Sequence, residues 1–225
     1  MSTVAREREA GAVVEERLLA DSRRFYLFFG GLQGRLGTDH FEFMRSAGVL
    51  GCSRLFLRDP HRAWYQRGLP GIGEDVHAVA RYLEQRIASS GASEVRFVGN
   101  CMGGYAALLF CSLLRTGRAI AFAPQTLIGP GALEWHPGQP VADAYAGMFA
   151  HRNDRHIYDL PEWLRIHTPE LEGEVYCSAN YPIDIAHAEA LRGFPNIAIH
   201  HVDMDGHGVS RFLRQQGRLK EILSA

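Results

Sequence analysis

At 225 residues the chain has the length of one domain carrying an insertion, since a domain usually takes ~150 residues. A 46% hydrophobic and 22% charged composition is that of an ordinary globular protein and excludes fibrous or disordered chains. Twenty-four basic side chains balance twenty-five acidic ones, so the net charge of −1 provides no basic field for a nucleic acid partner.

Apolar runs too short for helices alternate with longer amphipathic stretches. Phe25 to Phe29, ending at Gly30-Gly31, predicts a strand buried on both faces. Arg54 to Leu57 predicts a second strand, stopped by Asp59-Pro60. From Asp75 to Ala88 the apolar residues Val76, Val79, Leu83 and Ile87 recur every three or four positions, a helix that Gly91 closes. Val95 to Val98 is a third strand and Tyr105 to Leu114 a small apolar helix ending near Gly117. Ala119 to Ala123, Val175 to Cys177 and Ile197 to Val202 complete six strands. Helices are expected over Ile185–Leu191 and from about Val209 to Ile222. Residues 4–20 fit a short helix or a hairpin equally well.

Strands alternating with helices predict an α/β fold: a mostly parallel sheet of six or seven strands with helices on both faces. The stretch 125–170 breaks the alternation with five prolines, two tryptophans and no clear strand. It is expected to be a lid-like insertion in a single domain spanning 1–225. No apolar run reaches the ~20 residues of a bilayer span, and the charged start MSTVAREREAGAVVEERLLAD lacks a signal-peptide core. A cytoplasmic protein without a membrane partner is expected. The cysteines, Cys52, Cys101, Cys111 and Cys177, are too scattered for a disulfide framework.

The sharpest feature is the run Gly99-Asn100-Cys101-Met102-Gly103 between a strand and a helix. A nucleophile on so tight a turn sits in a strained backbone, exposed at the carboxyl edge of the sheet. Gly99 and Gly103 leave room for strand and helix to meet, while Gly104 and Ala106 let the helix pack closely. The unpaired amides of the helix start favour a thiolate and an oxyanion. A nucleophile needs a base and a group that orients the base. His207 follows the last strand, in Asp203-Met204-Asp205-Gly206-His207-Gly208. Asp184 follows the strand before it and is the expected orienting carboxylate, with N-cap duty as its structural alternative. Asp203 and Asp205 are weaker rivals, too near His207 in sequence to reach its far nitrogen. No metal site is expected, because strand alternation sends His200 and His201 to opposite faces. The oxyanion donors are expected to be the amide of Met102 and that of Gly31 or Leu32.

With these pieces in place, the chain resembles the α/β-hydrolase superfamily from Phe25 to Ile222. The matching motifs are FFGGLQG, GNCMGGYAALL, AFAPQT, DIAHAEAL at Asp184 and DGHGV at His207. The resemblance is to a compact branch with short leading strands and with cysteine in the usual serine position. Dienelactone hydrolases and some thioesterase-like and cyclising enzymes share that replacement. It implies an acyl-transfer enzyme needing no cofactor, in which Cys101, His207 and Asp184 cleave a small-molecule or carrier-bound thioester, ester or lactone. Trp135, Tyr145, Met148, Tyr158 and Trp163 of the insertion are the expected substrate-lining residues. A transferase or cyclase that passes the same acyl group to another acceptor is the nearest alternative. A catalytically silent binding protein is the alternative from another class.

Overall fold

The computed structural model describes residues 12–32, 41–129, 141–151 and 156–225. Seven strands form one sheet: β1 (Val14–Arg17), β2 (Arg24–Phe29), β3 (Ser53–Leu57), β4 (Glu94–Asn100), β5 (Arg118–Phe122), β6 (Gly173–Ser178) and β7 (Ile197–Val202). Their order is β1-β3-β2-β4-β5-β6-β7; only β1 runs antiparallel to its neighbour. The described helices are α1 (Met44–Ala47), α2 (Val76–Ser90), α3 (Met102–Leu114), α4 (Val141–Ala150), α5 (Leu160–His167), α6 (Pro182–Glu189), α7 (Val209–Gln215) and α8 (Arg218–Ser224).

The five residues of Phe25–Phe29 divide their side chains by strict alternation. Phe25, Leu27 and Phe29 enter the apolar layer with α2, α3 and α6, whereas Tyr26 and Phe28 enter the opposite layer with α7 and α8. Both faces are covered, which is why the run is apolar throughout. Asp75 caps α2 by accepting from the Ala78 amide at 2.7 Å, and Gly91 ends it with a left-handed φ of 65°.

Three expectations need correction. The described part of the N-terminal stretch is neither helix nor hairpin; it supplies β1, whose partner is β3, distant in sequence. The terminal helix is two helices, broken at Gly217, where φ is 77°. The helix after β6 begins at Pro182, with Tyr181 as its N-cap, so Asp184 lies in the first turn and is not the cap.

Beyond β5 the chain leaves the sheet and returns through a pinned stem. The Ile128 amide donates to Tyr158 O at 2.8 Å and the Leu160 amide to Thr126 O at 3.0 Å. Within the described part of 125–170, α4 and α5 account for the regular structure, and Asp159 caps α5. Among the described residues no helix is long and apolar enough to cross a membrane.

Close contact at the β4–α3 junction depends on bare α-carbons. A methyl on Gly103 would overlap the Phe29 carbonyl and Gly30, and one on Gly99 would overlap the Gly103 carbonyl. Gly103→Ala is therefore expected to lower stability by on the order of 3 kcal/mol, read from urea unfolding, because backbone rather than a flexible side chain must give way.

Candidate active site

Cys101 sits between β4 and α3 with φ 56° and ψ −121°, a backbone that L-residues rarely adopt. Its amide donates to Phe122 O at 2.9 Å, and its carbonyl accepts from the amides of Gly104 and Tyr105 at 3.0 and 3.2 Å. These bonds hold the strained residue from both sides. Only 8% of Cys101 is exposed. Met102, next in line, is the first residue of α3 and its amide has no carbonyl four residues back to bond.

The first turn of α6, after β6, and the loop after β7 bring Asp184 and His207 together. Asp184 Oδ1 accepts from His207 Nδ1 at 2.6 Å, and the carboxylate is only 2% exposed. Such a contact fixes the ring and leaves Nε2 as the working nitrogen. Nε2 is buried with no well-aligned hydrogen bond among the described residues. Cys101 nevertheless favours the charged ring, chiefly through its own charge. Loose alignment of this kind is usual before substrate binds. The rival carboxylates lie elsewhere: Asp203 accepts from Asn180 Nδ2 at 3.2 Å, and Asp205 is exposed.

Burial alone would disfavour a charged His207. The charge of Cys101 and the hydrogen bond to Asp184 outweigh it, and the imidazole is held well above its ordinary value. The stability His207 contributes is thus complete below ~pH 6.5, the unfolded value, and is lost as pH climbs through the folded one. In Cys101→Ala the strongest raising influence is gone. His207 is then expected to titrate at lower pH than in the parent, as followed by NMR of its ring protons.

Gly31 and Leu32 do not have the same surroundings. The Gly31 amide donates to Glu42 Oε2 at 2.7 Å, so it is already engaged. Glu42 is a residue that sequence reasoning missed. It stands just before a four-residue helix, with no periodicity or motif to mark it. Burial pushes its carboxyl upward, opposed by the hydrogen bonds from Gly31 and Asn100.

Of the expected lining residues, Trp135 lies outside the described residues. Tyr145 and Met148 of α4 join the same buried cluster as Cys101 and are sealed, at 0% and 1% exposure. Burial raises the Tyr145 phenol, and the charge of Cys101 adds to the rise. Trp64 stacks on Tyr145 with ring centroids 4.5 Å apart, while its Nε1 donates to Gln125 Oε1 at 3.1 Å. The loop carrying Trp64 is built on Asp59, whose carboxylate accepts from the amides of His61, Ala63 and Tyr65. Those bonds hold Trp64 and Tyr65 at φ values of 51° and 61°. Tyr158 pairs with His156 Nδ1 at 3.1 Å, and Trp163 lies against His167 of its own helix.

A second cysteine–imidazole pair sits behind β6 and β7. Cys177 Sγ is 3.5 Å from His201 Nδ1, and His201 Nε2 is 3.5 Å from Glu189 Oε1. Burial, together with the charges of Asp184 and Glu189, pushes the Cys177 thiol up to about 11, the reverse of nucleophile activation. His200 takes the opposite face of β7, stacked on Tyr176 with centroids 4.5 Å apart. Among the described residues, no three His, Cys, Asp or Glu side chains gather as a metal site.

No protein-family model matches the chain, and no curated protein matches its sequence. Solved structures do match its architecture. A capsule O-acetyltransferase of Neisseria meningitidis serogroup A aligns over 92% of this chain and 90% of its own, at 12% identity and a TM-score of 0.68. A carboxylesterase of the thaumarchaeon Nitrososphaera gargenis aligns over 93% and 91%, at 10% identity and 0.62. A lipase-esterase related protein of Clostridium acetobutylicum aligns over 93% and 97%, at 13% identity and 0.58. The seven-stranded, mostly parallel sheet flanked by helices is thus an α/β-hydrolase fold.

Proposed function

We propose that the protein is an acyl-transfer enzyme with Cys101 as nucleophile, His207 as base and Asp184 as the group that orients it. The observation that carries this reading is the 2.6 Å Asp184–His207 contact, together with a thiol held at positive φ on the strand-to-helix turn. Asp184 and His207, remote in sequence, meet near the carboxyl ends of the strands, the edge at which Cys101 also lies and where this type of sheet binds ligands.

In the first half-reaction the Cys101 thiol gives its proton to His207 Nε2, and sulfur attacks the carbonyl carbon of a thioester, ester or lactone. The oxyanion is held by the amides of Met102 and Leu32, Gly31 being engaged by Glu42. Collapse of the tetrahedral intermediate breaks the bond to the leaving thiol or alcohol, which takes the proton from His207. In the second half an acceptor hydroxyl passes its proton to His207 and attacks the acyl-thioester carbon, which releases Cys101. The chemistry needs no cofactor. Asp184 stabilises the imidazolium that forms as sulfur gives up its proton.

The acceptor is water in a hydrolase and another nucleophile in a transferase or cyclase. Trp64, Tyr145 and Met148 are sealed in the same apolar cluster as Cys101, a residue only 8% exposed, and such packing restricts water, which favours a second reading as a transferase. Incubation with the acetyl thioester of N-acetylcysteamine, followed by intact-protein mass spectrometry, tests both. An acetyl adduct mapped to Cys101 supports acyl transfer; adducts only on other cysteines sink it. Analysis of the released acetyl group, with and without added alcohols and amines, then separates the two acceptors.

A further inference from the structure

Glu42 joins three parts of the site that arrive from distant stretches of chain. Its Oε2 accepts from the Gly31 amide at 2.7 Å, and its Oε1 accepts from Asn100 Nδ2 at 3.1 Å. Asn100 is the residue before the nucleophile, and its Oδ1 accepts from Ser210 Oγ at 3.1 Å. Ser210 belongs to the first turn of α7, directly after the loop that carries His207. One carboxylate therefore links the turn after β2, the turn holding Cys101 and the helix behind the base.

The turn at Gly31 is wedged against the nucleophile. A Cβ built there would lie 2.8 Å from Asn100 O and 3.4 Å from both Cys101 Cβ and Glu42 Oε2. A peptide plane in such a place has few orientations, and the hydrogen bond to Glu42 selects one. Anchoring the Gly31 N–H on the carboxylate fixes the peptide that leads into Gly31 and so narrows the positions open to the following N–H, that of Leu32. Oxyanion donors act only when they sit within a few tenths of an ångström of the developing charge, so their aim matters more than their presence.

Building on the acyl-transfer reading, we propose that Glu42 is a positioning residue that clamps Gly31 and Asn100 so that the amides of Leu32 and Met102 converge over Cys101. Its action is on the oxyanion and not on the sulfur. That distinction is measurable, because acylation passes through an oxyanion whereas alkylation at a saturated carbon does not.

The test compares the parent, Glu42→Ala and Glu42→Gln in two reactions of Cys101: turnover of the acetyl thioester of N-acetylcysteamine, and alkylation by iodoacetamide. Glu42→Ala is expected to lower kcat for the thioester by about ten- to a hundred-fold with KM nearly unchanged, since a misaimed donor costs transition-state stabilisation only. Alkylation should proceed at the parental rate, which also shows that the variant keeps its site. In Glu42→Gln the side-chain oxygen still accepts from Gly31. A flip of the Asn100 amide lets it accept from the new NH2 while its own NH2 donates to Ser210, so kcat should return to within about threefold of the parent.

Equal slowing of both reactions in Glu42→Ala would overturn the proposal by placing Glu42's action on the thiol. Parental acylation in that variant would overturn it by showing that nothing is positioned. A Gln variant that alkylates normally but acylates as slowly as Ala would show that charge, not the clamp, is what matters. Where Glu42→Ala does not fold, Glu42→Asp, too short to reach both partners, takes its place with the same expectation. If the parent is alkylated at Cys101 but never acylated, the acyl-transfer reading itself fails, by a result of a different kind.

Discussion

Cys101→Ala is expected to abolish covalent acylation and to lower kcat on the order of a million-fold, the scale seen when a covalent nucleophile is removed while its surroundings stay in place. The fold should survive. Alanine is smaller than cysteine, the strained φ of 56° is imposed by the flanking bonds to Phe122, Gly104 and Tyr105, and the side chain is not what satisfies them. The measurement is thioester turnover together with intact mass. Unchanged turnover, or an acetyl adduct that persists on the variant, would remove Cys101 from the chemistry.

Asp184→Asn is expected to lower kcat by ~10,000-fold with little loss of stability, because the amide fits the same space but not the same role. Asp184 accepts from His207 Nδ1 at 2.6 Å, which in the neutral ring keeps the free lone pair on Nε2. An asparagine can offer its NH2 to Nδ1 instead. The ring proton then moves to Nε2, and the base can no longer accept a proton from sulfur. Even in the favourable orientation the negative charge that supports the imidazolium is gone. A second reporter exists in the same variant. Asp184 is one of the charges holding the Cys177 thiol up to about 11, so that thiol should ionise at lower pH once the charge is removed. Thiolate absorbance against pH would show it, with Cys177→Ser in the same background as the control. A rate within tenfold of the parent would show that Asp184 does not orient the base.

Much of this site was legible in the sequence because local rules and tertiary need agree there. Gly99, Cys101 and Gly103 announce the turn through the steric demand they relieve. Asp184 and His207 are legible because each follows a strand and precedes a helix, which puts both at one edge of a parallel sheet. The preference for Asp184 over Asp203 and Asp205 rested on reach, and the contact falls on Asp184. Gly217 is a readable signal of the same local kind: a glycine inside a helical pattern marks a break, and the chain turns there.

Other elements carried no local signal. β1 has four residues of mixed character and becomes a strand by pairing with β3 at the edge. Glu42 has no motif, since its position depends on where the ends of β2 and β4 arrive. Tyr145 and Met148 showed their apolar character but not their partner. Trp64 reaches Tyr145 only because Asp59 bends the intervening loop through two consecutive left-handed residues. A backbone so shaped by one buried carboxylate is invisible to periodicity.

The pinned stem at Thr126–Ile128 and Tyr158–Leu160 separates two kinds of change that a sequence can undergo. The strands that lead to Cys101, Asp184 and His207 lie in the sheet, while α4, which meets the same apolar cluster as Cys101, hangs from the stem. Segments hung from such a fastening can lengthen, shorten or be exchanged between descendants while the reactive atoms keep their places. In this scaffold, the inserted segment and the sheet can evolve at different rates.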